Sequence, residues 1–220
     1  MKKLLGYITA SMFVAASAYS EVRIGASLAF TMFTSDGSEE TKSSGEKNNG
    51  SVDENVLVPA IFIEKAGSNG IALGIDYTPA DSELGSGNNA RTDTDTDDAS
   101  DTAGDNKVSA ELTGHMTIYG LVPMGSGGAY FKGGIARASI DTTESLATGS
   151  TYGNADVDGL IVGLGFERET DNGGFLRMEG TYTDYEDVKL RGSLDSDSVR
   201  NIVDADVDAF AFRISVGKAF

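Results

Sequence analysis

Residues 157–185 read VDGLIVGLGFERETDNGGFLRMEGTYTDY, two apolar runs joined by a short polar link. Leu160, Val162, Leu164 and Phe166 recur at every second position, as do Leu176, Met178 and Tyr182. A period of two is that of a strand with two unlike faces. Between the two runs stands Asn172-Gly173, a hairpin signal. With 171–173 as a three-residue loop, Phe166 faces Met178, Leu164 faces Gly180 and Val162 faces Tyr182 on the apolar side. The same pairing sets Glu167 opposite Arg177 on the other face.

The pattern extends in both directions. Val22, Ile24, Ala26, Leu28, Phe30 and Met32 alternate with Arg23, Gly25, Ser27, Ala29 and Thr31, and Phe210, Phe212, Ile214, Val216 and Phe220 alternate with Ala211, Arg213, Ser215, Gly217 and Ala219. Further segments span 55–65, 70–78, 107–122 and 128–139, which with 157–168 and 174–185 makes eight strands. Short turns at 66–69, 123–127 and 169–173 alternate with long polar connections at 34–54, 79–106, 140–156 and 186–206. A loop at 67–69 predicts Ile63 opposite Leu73 and Ile61 opposite Ile75. An even number of roughly ten-residue strands, with long loops at one end and short turns at the other, is the layout of a barrel that crosses a bacterial outer membrane. A soluble β-sandwich also alternates, but the second face here holds Gly, Ala, Ser, Thr and charge, a poor sandwich core. The expected fold is all-β: an eight-stranded antiparallel transmembrane up-and-down β-barrel over 21–220, preceded by an N-terminal signal peptide over 1–20.

That leader is read from Lys2 and Lys3, the apolar stretch from Leu4 to Ala16, and the small residues Ala16, Ser17, Ala18 and Ser20. The run is shorter than the ~20 apolar residues of a spanning helix, and cleavage after Ala18 or Ser20 fits it. Composition narrows the function. The chain carries 34 Asp plus Glu against 17 Lys plus Arg, a formal charge of -17; loss of the two leader lysines takes it two units lower, to -19. Such an excess of acid disfavours nucleic acid as a partner. No Cys and one His remove thiolate and most imidazole chemistry. The 28 glycines are about twice the usual frequency, and Gly25, Gly74, Gly134, Gly163, Gly165 and Gly217 fall on the inward parity. An eight-stranded barrel is filled by its own side chains, so small inward residues must alternate with large ones.

Inward parity also collects Arg23, Lys132, Arg177 and Arg213 against Glu64, Asp76, Glu111, Glu167 and Glu179, with His115 and Tyr119 beside them. Ionised groups in such an interior must be paired. The expected lumen ion pairs therefore draw on Arg23, Glu111, Lys132, Glu167, Arg177, Glu179 and Arg213, with Glu179 and Arg213, at similar depth on neighbouring strands, expected to pair with each other. An ion or proton path along these groups is the functional alternative to a salt-bridged plug. His115 and Thr117, two residues apart, invite a comparison with barrel-strand deacylases, but no catalytic set converges and no Gly-x-Ser-x-Gly elbow is present; no enzyme, cofactor or metal site is expected. The acid run Asp93, Asp95, Asp97, Asp98, Asp101 and Asp105 opens like a calcium loop, yet its sixth and twelfth positions are Asp98 and Gly104 rather than glycine and glutamate.

Three motifs carry a resemblance: AYFKGGIA at 129–136, DGLIVGLGF at 158–166 and GFLRMEGTYTDY at 174–185. They resemble strands five, six and seven of the small OmpA-like and opacity-type outer-membrane barrels. The terminal Phe220 after an alternating strand is similar to the signal read by the barrel assembly machinery. The resemblance spans the mature chain in architecture and its last half in motif. It implies Arg177 and Glu179 as lumen ion-pair residues, and outer-membrane lipid and lipopolysaccharide as surroundings. Two departures stand out: no peptidoglycan-binding domain is expected after the barrel, so cell-wall tethering is not implied, and with no Trp an aromatic girdle must use residues such as Tyr77, Phe131, Tyr182 and Phe212. The expected protein is a monomeric, side-chain-filled barrel of the Gram-negative outer membrane, serving envelope structure or surface contact through its acidic loops. A narrow porin for small solutes and an adhesin acting through the loops are the alternatives.

Overall fold

The computed structural model describes residues 20–41, 46–91, 104–146, 151–193 and 202–220. The expected signal segment, apart from Ser20, and the acid run at Asp93–Asp101 lie outside these residues. All described regular structure is β: β1 (Ser20–Thr41), β2 (Glu46–Gly67), β3 (Ala72–Tyr77), β4 (Ser82–Arg91), β5 (Gly104–Pro123), β6 (Ala129–Ser145), β7 (Ala155–Glu169), β8 (Gly174–Tyr185), β9 (Val188–Arg191) and β10 (Ile202–Ala219). Each strand pairs antiparallel with its neighbours in the order β1-β2-β3-β5-β6-β7-β8-β10, and β10 returns to β1, so eight positions form a hydrogen-bonded ring. β4 continues β3 along β5, and β9 continues β8 along β10.

Alternation along the strands makes the ring inside out relative to a soluble protein. Leu57, Leu160, Leu164 and Val216 are 58–64% exposed, and Ile24, Phe30, Ile61, Leu176, Phe210 and Phe212 about half exposed, whereas Glu64, Asp76, Lys132, Arg177 and Glu179 are buried. Water penalises such an apolar belt; a hydrocarbon surround does not.

The hairpin that opened the sequence reading pairs as expected: Phe166↔Met178, Leu164↔Gly180, Val162↔Tyr182 and Glu167↔Arg177. The first hairpin differs by two residues. Ile63 pairs with Ile75 and Ile61 with Tyr77, because the Gly70 amide donates to the Gly67 carbonyl and the Gly67 amide to that of Ile71, which centres the turn one residue later than a loop at 67–69. Gly70 has φ of 78°, a left-handed conformation that glycine takes without steric cost. Facing parity survives a two-residue shift, so the inward and outward sets are unchanged.

All four of the long connections are partly strand. β4 and β9 lie where polar loops were expected, and β1 and β2 both run 22 residues. Ser, Asn, Asp and Gly pair through their backbones there without the apolar alternation that marks a buried face.

The expected place of Glu111 is overturned. β5 carries a bulge between Thr113 and Met116: Thr113 pairs with Ser139 but Met116 with Arg137, and Gly114 takes φ of 58°. One extra residue on the bulged strand inverts the facing of everything before it. Leu112 therefore points inward, 4% exposed, and Glu111 is exposed on the outside. It is no lumen ion-pair residue.

Candidate functional site

Among the described residues the strands bring buried charge together in the lumen, and its contents change along its length. Toward the short turns, Arg177 on β8 is 1% exposed. Its Nη1 and Nη2 donate to Glu64 Oε1 and Oε2 on β2 at 2.6 and 2.9 Å, while Nε donates to Glu167 Oε2 on β7 at 2.9 Å. The fork thus clamps two carboxylates from opposite sides of the ring, the bidentate geometry in which Arg binds strongly. Tyr119 Oη donates to Glu64 Oε1 at 2.6 Å. Arg23 Nη1 donates to Glu167 Oε1 at 2.7 Å, and its other nitrogens to Glu21 and Glu169, both at 2.6 Å.

Aromatic rings surround this chain of charge. The Arg177 guanidinium carbon lies 5.4, 5.5 and 5.1 Å from the ring centres of Phe62, Tyr130 and Phe175, within cation–π range. These rings fit because glycines face them. A Cβ on Gly74 would stand 2.6 Å from Tyr119 Cζ. A Cβ on Gly25 would overlap Phe62 Cζ and stand 2.5 Å from the Val216 carbonyl oxygen, and Gly217 and Gly165 face Phe175 and Tyr130 as closely. Gly25, Gly74, Gly165 and Gly217 are therefore sockets for rings on neighbouring strands, while Gly134 and Gly163 instead let the backbones of Tyr119 and Thr181 approach. The ring-in-socket pairing was missing from the sequence reading; its signal was an inward aromatic beside an inward glycine.

One layer further from the turns, Arg213 Nη1 donates to Asp76 Oδ2 at 2.8 Å. Lys132 Nζ lies 3.3 Å from Glu179 Oε1, 3.8 Å from Asp76 Oδ2 and 4.0 Å from the Tyr119 ring centre. Arg213 and Glu179 are direct cross-strand neighbours, but the pair expected between them is not formed: Arg213 reaches across the lumen to Asp76 and Glu179 pairs with Lys132. The two layers hold four cations (Arg23, Arg177, Lys132, Arg213) and four anions (Glu64, Glu167, Asp76, Glu179), with the half-exposed Glu21 and Glu169 added at the rim beside Arg23, so each buried cation has a carboxylate partner.

Above them the chemistry turns apolar. Phe33, Leu84, Leu112, Ile140, Val157, Val188 and Val207 form a buried cluster with Ala136, Ala138, Ala209 and Tyr185. His115 sits below it, its Nε2 3.1 Å from Tyr185 Oη and its Nδ1 3.5 Å from Thr78 Oγ1. The void bounded by His115, Thr78, Tyr185, Thr183 and Arg213 is about 30 Å³, a water's share of liquid volume. Among the described residues no group of three His, Asp or Glu is placed to hold a metal ion.

Outside the apolar belt, at the long-loop end, acids gather. Asp36, Asp187, Asp204 and Asp206 line an open basin of about 600 Å³ with Asn49 and Ser51. Partial desolvation and then the nearby Asp208, Asp187, Asp184 and Asp36 raise the Asp206 pKa above its ordinary value. Lys189 is raised by its hydrogen bond and charge pairing with Asp204, their atoms 2.7 Å apart.

No protein-family model and no curated protein matches the chain. Among solved structures, the outer membrane protein OprG from Pseudomonas aeruginosa is similar at 15% identity and a TM-score of 0.50, over 93% of this chain and 98% of that one. The outer membrane protease OmpT from Escherichia coli aligns over 93% and 99% at 10% identity and a TM-score of 0.48. The outer membrane protein AlkL aligns over 93% of each chain at 11% identity and a TM-score of 0.47. At these identities the likeness to OprG shows the fold of a small outer-membrane β-barrel and leaves activity open.

Proposed function

We propose that the chain is an eight-stranded up-and-down barrel of the Gram-negative outer membrane, made with a signal peptide, whose lumen is plugged and whose work is envelope structure or surface contact through its acidic loops. The observation that carries this is the pairing of an apolar outer belt with a filled, charge-balanced interior. The belt needs hydrocarbon around it. The Glu64–Arg177–Glu167 clamp, packed among Phe62, Tyr130 and Phe175, needs no water to satisfy it. By this reading the short turns face the periplasm and the basin of aspartates faces outward, toward lipopolysaccharide and its divalent ions. The barrel acts as a monomer, and Phe220 serves as the handle for the assembly machinery.

A porin would need a continuous wet path. The Arg177 layer and the apolar cluster around Leu112 stand across any such path, which favours the plug. Detergent-folded protein should migrate differently on a gel before and after boiling and give a β circular dichroism spectrum. Unchanged mobility with a helical spectrum would end the barrel reading.

A further inference from the structure

The charges on the outer wall are sorted by end, and the sorting is independent of the lumen. At the short-turn end the outward parity carries Lys65 on β2, Arg168 on β7 and Lys218 on β10, all exposed. Lys65 lies opposite Val22, and Lys218 opposite Ile24, on the two sides of β1. Arg168 lies opposite Leu176, and Leu176 opposite Val216, one outward step from Lys218. The three cations thus cover one arc of five consecutive ring positions, set in an apolar surround of Val22, Ile63, Leu176, Val216 and Phe220, all at least 38% exposed.

Their partners distinguish them. Each inward cation, Arg23, Lys132, Arg177 and Arg213, has a carboxylate within 3.3 Å. None of Lys65, Arg168 and Lys218 is within ion-pair distance of a carboxylate among the described residues; Lys218 Nζ lies 5.5 Å from the Phe220 ring centre. At the opposite end acids outnumber bases on the outward positions: Asp156, Asp158, Asp184, Asp206 and Asp208 stand beside Arg137, Lys189 and Arg191, with Asp156 and Asp158 sharing Arg137 at 3.4 and 3.9 Å and Lys189 paired to Asp204. Lysine and arginine stems lying on an apolar wall extend their heads to the depth of lipid phosphates.

We propose that the short-turn rim is a docking surface for anionic phospholipid headgroups of the phosphatidylglycerol class. The inference rests on the outer-membrane reading above, which places this rim in the periplasmic leaflet. Lys65, Lys218 and Arg168 meet lipid phosphate there, while the aspartate collar repels the same lipids at the far end, so the two rims fix which leaflet chemistry each end prefers. Each basic residue near an anionic surface contributes attraction that salt screens.

The test uses the full mature chain folded into phosphatidylcholine bilayers, with electron paramagnetic resonance of spin-labelled phosphatidylglycerol and spin-labelled phosphatidylcholine in the lipid shell around the barrel. The expected result is a preference for phosphatidylglycerol that collapses at 1 M salt and falls at least about twofold in the Lys65→Gln/Arg168→Gln/Lys218→Gln variant. The charge-keeping variant Lys65→Arg/Arg168→Lys/Lys218→Arg should retain it. Equal preference in the native chain and the glutamine variant, or no preference in the native chain, would overturn the proposal. Should the glutamine variant not fold, the salt dependence of the native chain decides alone. A chain that forms no barrel would overturn the outer-membrane reading and this inference together; a folded barrel without preference would overturn only the inference.

Discussion

The two halves of the lumen solve one packing problem with different chemistry. Near the short turns the ring is filled by ion pairs and aromatics seated on glycines: Arg177 between Glu64 and Glu167, and Phe62, Phe175 and Tyr130 over Gly25, Gly217 and Gly165. Toward the loops it is filled by Phe33, Leu112, Ile140, Val157 and Val207, as in a soluble core. The charged half sits behind the apolar outer belt, where its charges find their partners among one another. The apolar half extends toward water, where burying Leu and Val is the ordinary driving force. Polarity inside the ring thus runs opposite to polarity outside it.

Mutations can break this contrast. Arg177→Ala leaves Glu64 buried without its clamp and should lower unfolding stability in urea by about 3–5 kcal/mol. Joint replacement as Glu64→Leu and Arg177→Met should recover most of that loss, since paired removal leaves no orphan charge. Leu112→Ala, in the apolar half, should cost about 2–4 kcal/mol through the cavity it leaves, with the charged layers intact. Gly25→Ala should cost about 1–3 kcal/mol by overpacking, because the new methyl meets both Phe62 and a backbone carbonyl. Phe62→Leu in that background should restore part of it. The smallest effect belongs outside the ring. Asp206 has a folded pKa raised above the unfolded value, so it favours folding below the ordinary aspartate range and that contribution is lost as pH rises through the folded pKa. Unfolding midpoints measured across pH 4–7 should fall less steeply in Asp206→Asn than in the native chain.

Much of this was legible in the residues. Period-two alternation placed all eight ring positions, and Asn172-Gly173 set one hairpin register outright. Inward parity gathered Glu64, Asp76, Glu167, Arg177, Glu179 and Arg213. What parity cannot give is reach across the ring: Arg213 bonds Asp76 rather than its strand neighbour Glu179, because a long side chain selects among partners by three-dimensional depth. Bulges are a second blind spot. The segment 107–122 read as one strand of constant parity, yet the left-handed Gly114 within it inverts the facing of 104–113 and carries Glu111 outside. The apolar half of the lumen went unread for the same reason in β5, and elsewhere because Leu84, Val188 and Val207 lie in stretches whose Ser, Asp and Gly content read as loop.

Whether the ring spans a bilayer with its interior shut is decided by planar-bilayer recording of the refolded chain. The account predicts a quiet membrane, with no unitary current steps, while the same preparation shows heat-shifted mobility on a gel. Reproducible steps of fixed amplitude that change in size with Arg177→Ala would contradict it, since ions would then be passing the layer that the Glu64–Arg177–Glu167 clamp is held to close.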